Sequence, residues 1–318
     1  MNKHIIALAL FSVLVLSGCI EGSDDSYAEG AGPGVVITEL RSDFSNIDAG
    51  EPITIMMSFE NVGDYKATEV KGELIRKGAF KNIEPTYTGP ITLERPLETT
   101  YSGDEFFWDM EAPVITQIRT EEVQGRLIYD YQTEAYATIN FVPREMLREQ
   151  GLEAFPLDSI SSYGPIEIDI VASQPVTLRD GDAKSAIDAN YREYQVRVNV
   201  LLDNVGSGRA ETKDTTIGVD YCKISTKPYT DCLDSVTLEA YGGGCAFVKD
   251  ASIVTAASFT KEEQGIRLIQ GQEGRWSVPI TFAIQDINAA TSCQLKVTAK
   301  YTYRVDSKVL PITISPID

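Results

Sequence analysis

Polar and apolar positions alternate with a period of two over most of this chain. Ile53-Thr54-Ile55-Met56-Met57-Ser58-Phe59 is one such run and Tyr194 to Leu202 is another. Side chains that change face at every residue belong to strands with one side in a core and one in water. Helical periodicity is nearly absent. Its best instance is Pro143 to Gly151, with Pro at the first helical position and Gly just past the end. That helix is about two turns long and persists only if packed on a larger body, with Met146 and Leu147 as its docking residues. One stretch differs from all others: Ile5 to Leu16 is apolar without interruption.

The alternating segments come in two related sets. Phe59-Glu60-Asn61-Val62-Gly63 matches Leu202-Asp203-Asn204-Val205-Gly206, each at the end of an alternating run. Asn-Val-Gly there supplies a turn, with Asn and Gly tolerating positive φ. Gly103-x-Glu105-x-x-Trp108 matches Gly271-x-Glu273-x-x-Trp276. Leu127 to Tyr131 precedes a strand at Ala135 to Val142, and Val297 to Tyr303 precedes one at Val309 to Ile314. In both, two alternating Tyr are followed by a short turn and a last strand. Three matches in the same order predict a duplicated domain. Each copy reads as about seven short strands, the pattern of an antiparallel immunoglobulin-like β-sandwich. Trp108 and Trp276 are expected as core anchors between the sheets.

Asp48-Ala49-Gly50-Glu51 before a strand, Asn61-Val62-Gly63, and Gly103-Asp104-Glu105 before an aromatic strand resemble the CARDB-type domain. These are immunoglobulin-like modules common in archaeal and bacterial surface proteins. The resemblance covers residues 35–142 and, more loosely, 165–316. The second copy lacks the Ala-Gly-Glu and is longer by about 25 residues between its Asn-Val-Gly and Trp features. The resemblance implies adhesion, scaffolding or assembly. A fold alone does not fix function.

The apolar run Ile5 to Leu16, about 18 Å long as a helix, is shorter than the roughly 30 Å core of a bilayer. Behind the basic start Met-Asn-Lys-His it fits a signal peptide. It ends in Leu16-Ser17-Gly18-Cys19, which closely resembles the lipobox of bacterial and archaeal lipoproteins. The resemblance implies that Cys19 is lipidated and begins the mature chain, anchored on the outer face of the cytoplasmic membrane or the cell surface. Ile20 to Gly34 is dominated by Gly, Ser, Asp, Glu and Ala, a flexible tether with a root-mean-square reach of about 20 Å. The expected organisation is therefore a signal peptide (1–18), an anchored tether (19–34), a first β-sandwich (35–143), a linker with a short helix (144–163) and a second β-sandwich (164–318).

Of 318 residues, 28 are Lys or Arg and 47 are Asp or Glu, a net charge of −19. Loss of residues 1–18 removes Lys3 and His4 and leaves 27 bases against 47 acids, a net of −20. No basic cluster is present, which argues against a nucleic-acid partner. His4 is the single histidine. A mature chain without it contains no Ser-His-Asp or Cys-His arrangement and no His-ligated zinc. Neither a nucleophile elbow nor a phosphate-binding Gly loop occurs. Asp180-Gly181-Asp182 with Asp188 departs from the calcium-loop spacing and reads as a polar turn. No cofactor is expected.

Besides Cys19 the chain has Cys222, Cys232, Cys245 and Cys293, all in the second copy. An even count in an exported chain suggests two disulfides. Three pairings exist, and the spacing favours Cys222–Cys232 and Cys245–Cys293. A four-thiolate zinc site is disfavoured by the lack of a Cys-x-x-Cys pair.

Tyr87, Tyr101, Tyr229 and Tyr241 fall in predicted loops. Tyr offers a large contact area with a polar tip, so these are the candidate partner contacts. The expected function is that of a non-catalytic, lipid-anchored surface protein that contacts another surface protein. The alternative is a module that binds carbohydrate or another small ligand through loop aromatics.

Overall fold

The computed structural model describes residues 34–97, 102–151, 155–179, 184–211, 231–242, 245–261 and 266–317. The expected signal peptide, most of the tether, Cys19, Tyr101, Cys222, Tyr229 and Asp180 to Asp182 lie outside the described residues.

The first copy contributes β1 (Val35–Ser42), β2 (Asn46–Asp48), β3 (Pro52–Asn61), β4 (Ala67–Lys77), β5 (Lys81–Glu84), β6 (Tyr87–Leu93), β7 (Gly103–Glu111) and β8 (Arg119–Pro143). Helix α1 (Arg144–Gln150), β9 (Phe155–Pro156) and β10 (Ser159–Ser161) follow. The second copy contributes β11 (Ile166–Val171), β12 (Ser173–Gln174), β13 (Val176–Leu178), β14 (Arg192–Asn204), β15 (Arg209–Glu211), β16 (Cys232–Leu233), β17 (Ser235–Tyr241) and β18 (Ala246–Lys249). It continues with β19 (Ser252–Val254), β20 (Ala256–Lys261), β21 (Ile266–Arg267), β22 (Glu273–Ile284), β23 (Thr291–Asp306) and β24 (Leu310–Ser315). The fold is all-β with largely antiparallel sheets, as the alternation predicts. Met146 and Leu147 on α1 are half-buried. Pro143 has extended backbone, φ −57° and ψ 141°, and so caps the helix instead of forming its first turn. Gly151 closes it in the left-handed conformation, φ 62°.

A four-stranded sheet, β1-β3-β7-β5, belongs to the first copy, and a five-stranded sheet, β11-β14-β22-β18-β19, to the second. The third large sheet has eleven strands and draws on both copies, along the path β2-β24-β8-β23-β17-β20 with β4, β6, β10, β13 and β15 at its flanks. Its spine is β8, which is 25 residues long, roughly 80 Å at 3.3 Å per residue. Every odd-numbered residue of β8 from Glu121 to Pro143 is buried, so one face of this strand lines the interior from end to end. A single cluster of buried side chains runs through both copies.

The turn expected between Tyr131 and Ala135 is absent. Gln132, Thr133 and Glu134 stay extended because they pair with Lys300, Ala299 and Thr298 of β23. β8 and β23 lie antiparallel without interruption from Arg126 opposite Asp306 to Phe141 opposite Thr291.

The two Trp are not equivalent. Ile55, six residues before Asn61, faces Trp108, whereas Val200, four residues before Asn204, faces Trp276. Trp276 therefore holds the place that Phe106 has in the first copy. Trp108 is fully buried, and Trp276 is half-buried at the margin of the core. The shared Gly-x-Glu-x-x-Trp pattern is thus out of step with the strand pairing by two residues, which preserves the face and changes the depth.

Cys245, just before β18, and Cys293, in β23, form a disulfide with Cα atoms 5.7 Å apart. Cys232 is also disulfide-bonded.

Candidate functional site

The two copies meet where β8 crosses β23. Tyr129 lies opposite Tyr303 and Tyr131 opposite Tyr301. All four rings point into the interior and form a closed circuit, with centroids 6.0 Å apart for Tyr129–Tyr131, 5.8 Å for Tyr129–Tyr303, 6.3 Å for Tyr131–Tyr301 and 6.3 Å for Tyr301–Tyr303. Tilted and edge contacts at this spacing suit the charge distribution of aromatic rings.

Each hydroxyl is fastened to backbone, and the fastening repeats between copies. Tyr129 accepts from the Val35 N–H (3.2 Å), and its counterpart Tyr301 accepts from the Ile166 N–H (3.3 Å). Tyr131 accepts from the Tyr65 N–H (3.0 Å), and its counterpart Tyr303 accepts from the Gly208 N–H (2.9 Å). Thr133 Oγ1 and Tyr301 Oη share a further bond of 2.6 Å. Burial pushes Tyr129, Tyr131 and Tyr301 well above the ordinary phenol value, and Tyr303 up to about 12. The quartet is a neutral clamp that ties the first strand and the Asn-Val-Gly turn of each copy to the paired strands β8 and β23.

That clamp also explains the duplicated turn. Asn61, Gly63, Asn204 and Gly206 do not use the positive φ that these residue types tolerate. Asn61 instead donates from Nδ2 to the Tyr65 (2.7 Å) and Glu94 (3.0 Å) carbonyls, and Asn204 to those of Gly208 (3.1 Å) and Gly271 (2.8 Å). Gly63 and Gly206 are needed because a Cβ would collide with the hydroxyls of Tyr131 and Tyr303.

The opposite face of the junction is open to solvent and polar. Glu134, on β8, is nearly buried at 7% exposure. Its Oε1 lies 2.8 Å from Lys296 Nζ, and its Oε2 accepts from the Tyr65 (2.5 Å) and Tyr136 (2.6 Å) hydroxyls. Lys296 also sits 5.7 Å from the Tyr136 ring centre. Burial alone would raise the Glu134 pKa, but the bonds from Lys296, Tyr136 and Tyr65 outweigh it and hold the carboxyl below its ordinary value. The hydrogen bond to Glu134 raises Lys296. Farther along the same pair of strands, Arg126 makes two bonds to Asp306 (2.6 and 2.9 Å), and Thr302 donates to Asp130 (2.9 Å). Each pair joins one copy to the other.

A cleft of about 430 Å³ opens beside this network, lined among others by Tyr65, Lys66, Thr68, Asp130, Gln132 and Lys300. Charges of both signs are mixed along it. Among the described residues no group of three or more His, Cys, Asp or Glu is placed to hold a metal. Asp188 Oδ1 accepts from the Asn190 N–H at 2.9 Å and serves a local turn.

Of the four expected tyrosines, the two that are described lie in strands rather than loops. Tyr87 begins β6, with backbone opposite Glu73, and Tyr241 ends β17 between Gln294 and Ala256, half-buried. The alternating Tyr pairs were visible as a repeat, but their clamp role was not, because it depends on partners far along the chain. Glu134 and Lys296 carry no local signal either.

No protein-family model matches the chain, and no curated protein matches it. Among solved structures, the Enterococcus faecalis MSCRAMM ACE, which binds its ligands by a collagen hug, is 10% identical over 89% of this chain and 95% of that one, with a TM-score of 0.14. The collagen adhesin of S. aureus is 10% identical over 91% and 96%, with a TM-score of 0.12. The CupB6 tip adhesin of Pseudomonas aeruginosa is 7% identical over 91% and 97%, with a TM-score of 0.12. At these scores the backbones do not superpose, and the likenesses support no functional reading.

Proposed function

We propose that this chain is a non-catalytic, lipid-anchored surface protein that holds or braces another surface protein. The observation that carries the reading is Leu16-Ser17-Gly18-Cys19 directly after a short apolar run and ahead of an acidic tether. The Cys245–Cys293 disulfide in the all-β body agrees with an oxidising compartment. In this reading Cys19 carries the lipid, residues 19–34 lift the body off the membrane, and the units 35–143 and 164–318 are CARDB-like modules. The wide, solvent-facing side of the eleven-stranded sheet offers polar, Thr-, Lys- and Tyr-bearing surface for a partner.

Trp108 is fully buried and so offers no stacking platform for a carbohydrate, whereas Trp276 is half-buried. Two measurements test the proposal. Cys19→Ser should release the protein from membranes or leave an unprocessed precursor, and unchanged partition and processing would overturn the anchor. Cross-linking on intact cells with mass spectrometry should return a recurrent protein neighbour, and recovery of glycans or lipids alone would overturn the partner class.

A further inference from the structure

We propose that the two copies are an intramolecular strand-exchanged pair, in which each sandwich is closed by the last strand of the other. The argument rests on paired registers. In the first copy, β2 lies parallel to β24, with Ile47 opposite Ile314. β24 in turn lies antiparallel to the start of β8, with Ile312 opposite Glu121. In the second copy, β13 lies parallel to the end of β8, with Thr177 opposite Val142. That end of β8 lies antiparallel to the start of β23, with Asn140 opposite Ser292. The two arrangements are the same, with the copies interchanged. β24, the last strand of the second copy, occupies a slot in the first. The end of β8, the last strand of the first copy, occupies the corresponding slot in the second.

The rest of the ladder obeys the same two-fold relation. Thr68 pairs with Asp130 at the start of β4, and Glu211 with Thr302 at the end of β15. Asp130 and Thr302 face each other across β8 and β23, so the relating axis passes between them. The exchanged segments are core and not trim. Ile312 and Ile314 of β24 are fully buried, as are Ile139 and Phe141 of β8. Phe141 stacks at 4.8 Å on Phe282, in the second copy's own sheet. Backbone bonds seal the other slot, from Ala49 N–H to the Ser315 carbonyl (2.8 Å) and from Thr313 N–H to the Ser45 carbonyl (3.0 Å).

Neither sandwich has a complete set of strands from its own copy, so the molecule folds and unfolds as one body, and the linker is not what holds the copies together. On the surface-anchor reading, a partner gripped by the second sandwich is coupled to the tethered first sandwich without a hinge. The exchange itself does not depend on that reading.

The test uses the full chain with a protease site introduced at Leu152-Glu153-Ala154. After cutting, gel filtration with light scattering should show one particle of the uncut mass, or joint unfolding of both fragments. Two separately folded fragments would overturn the proposal. A second test places Phe282→Ala in the second sandwich of a Trp276→Phe chain, so that Trp108 reports the first sandwich alone. Trp108 emission and far-ultraviolet circular dichroism should lose structure together, with equal shifts in midpoint. A Trp108 transition that stays at its original temperature would overturn the exchange.

Discussion

Tyr131 accepts a hydrogen bond from the Tyr65 N–H at 3.0 Å, and its hydroxyl fills the space that a side chain at Gly63 would need. The same relation joins Tyr303, the Gly208 N–H and Gly206 in the second copy. A glycine and a tyrosine far apart in sequence are thus one device, used twice. Gly63→Ala should cost about 1–3 kcal/mol through overpacking. Tyr131→Phe should cost a similar amount, since it leaves the part-buried Tyr65 N–H without its acceptor. Urea unfolding of both single variants and the double variant checks the coupling: the double should be less destabilised than the sum, because removing the hydroxyl makes room for the new methyl.

The acid limb of stability should contain a contribution from Glu134. Its folded pKa lies below the ordinary value, so its stabilisation is complete above the unfolded carboxyl pKa and is lost as pH falls through the folded value. Glu134→Gln should flatten that limb and lower stability near neutral pH by about 1–3 kcal/mol, as Lys296 loses its partner. Chemical unfolding at a series of pH values reads both effects.

The alkaline limb should come from the clamp. Buried tyrosines are raised, so their neutral form stabilises the fold fully below the unfolded phenol pKa of about 10. For Tyr303 that stabilisation is lost as pH rises through about 12. Absorbance of phenolate at 295 nm should therefore lag behind free tyrosine between about pH 10 and about 12, then rise with unfolding. Tyr303→Phe should shift the onset.

Ending the chain after Asp306 removes β24 and with it the buried Ile312 and Ile314. At about 1.5–3 kcal/mol per buried side chain the loss is about 3–6 kcal/mol. Its site should be the first sandwich. Amide exchange should accelerate at residues 46–48 and 119–123, which are far from the truncation in sequence and next to β24 in space.

Reduction of Cys245–Cys293 should lower stability by about 2–4 kcal/mol, since the bridge spans 48 residues of chain. Thermal unfolding with and without reductant, against a Cys245→Ser, Cys293→Ser chain, measures it. Because Cys232 is also disulfide-bonded, the comparison is made within reductant, where the native chain and the double variant should coincide.

Strand content, the near absence of helix and the recurrence of Asn-Val-Gly and paired Tyr were all legible along the chain. These features are local: alternation with period two reports which face of a strand is buried whatever strand lies beside it. What lay out of reach depends on partners distant in sequence. Trp276 carries the same motif as Trp108, yet its pairing with Val200 moves it to the margin of the core. Glu134 sits in an ordinary alternating stretch, and only the β8–β23 crossing brings Lys296 to it. The same buried residues at Ile139, Phe141, Ile312 and Ile314 are compatible with last strands that close their own copies or each other's. That choice was made by the tertiary structure, because a strand's alternation specifies its buried face but not the neighbour that completes its hydrogen bonds.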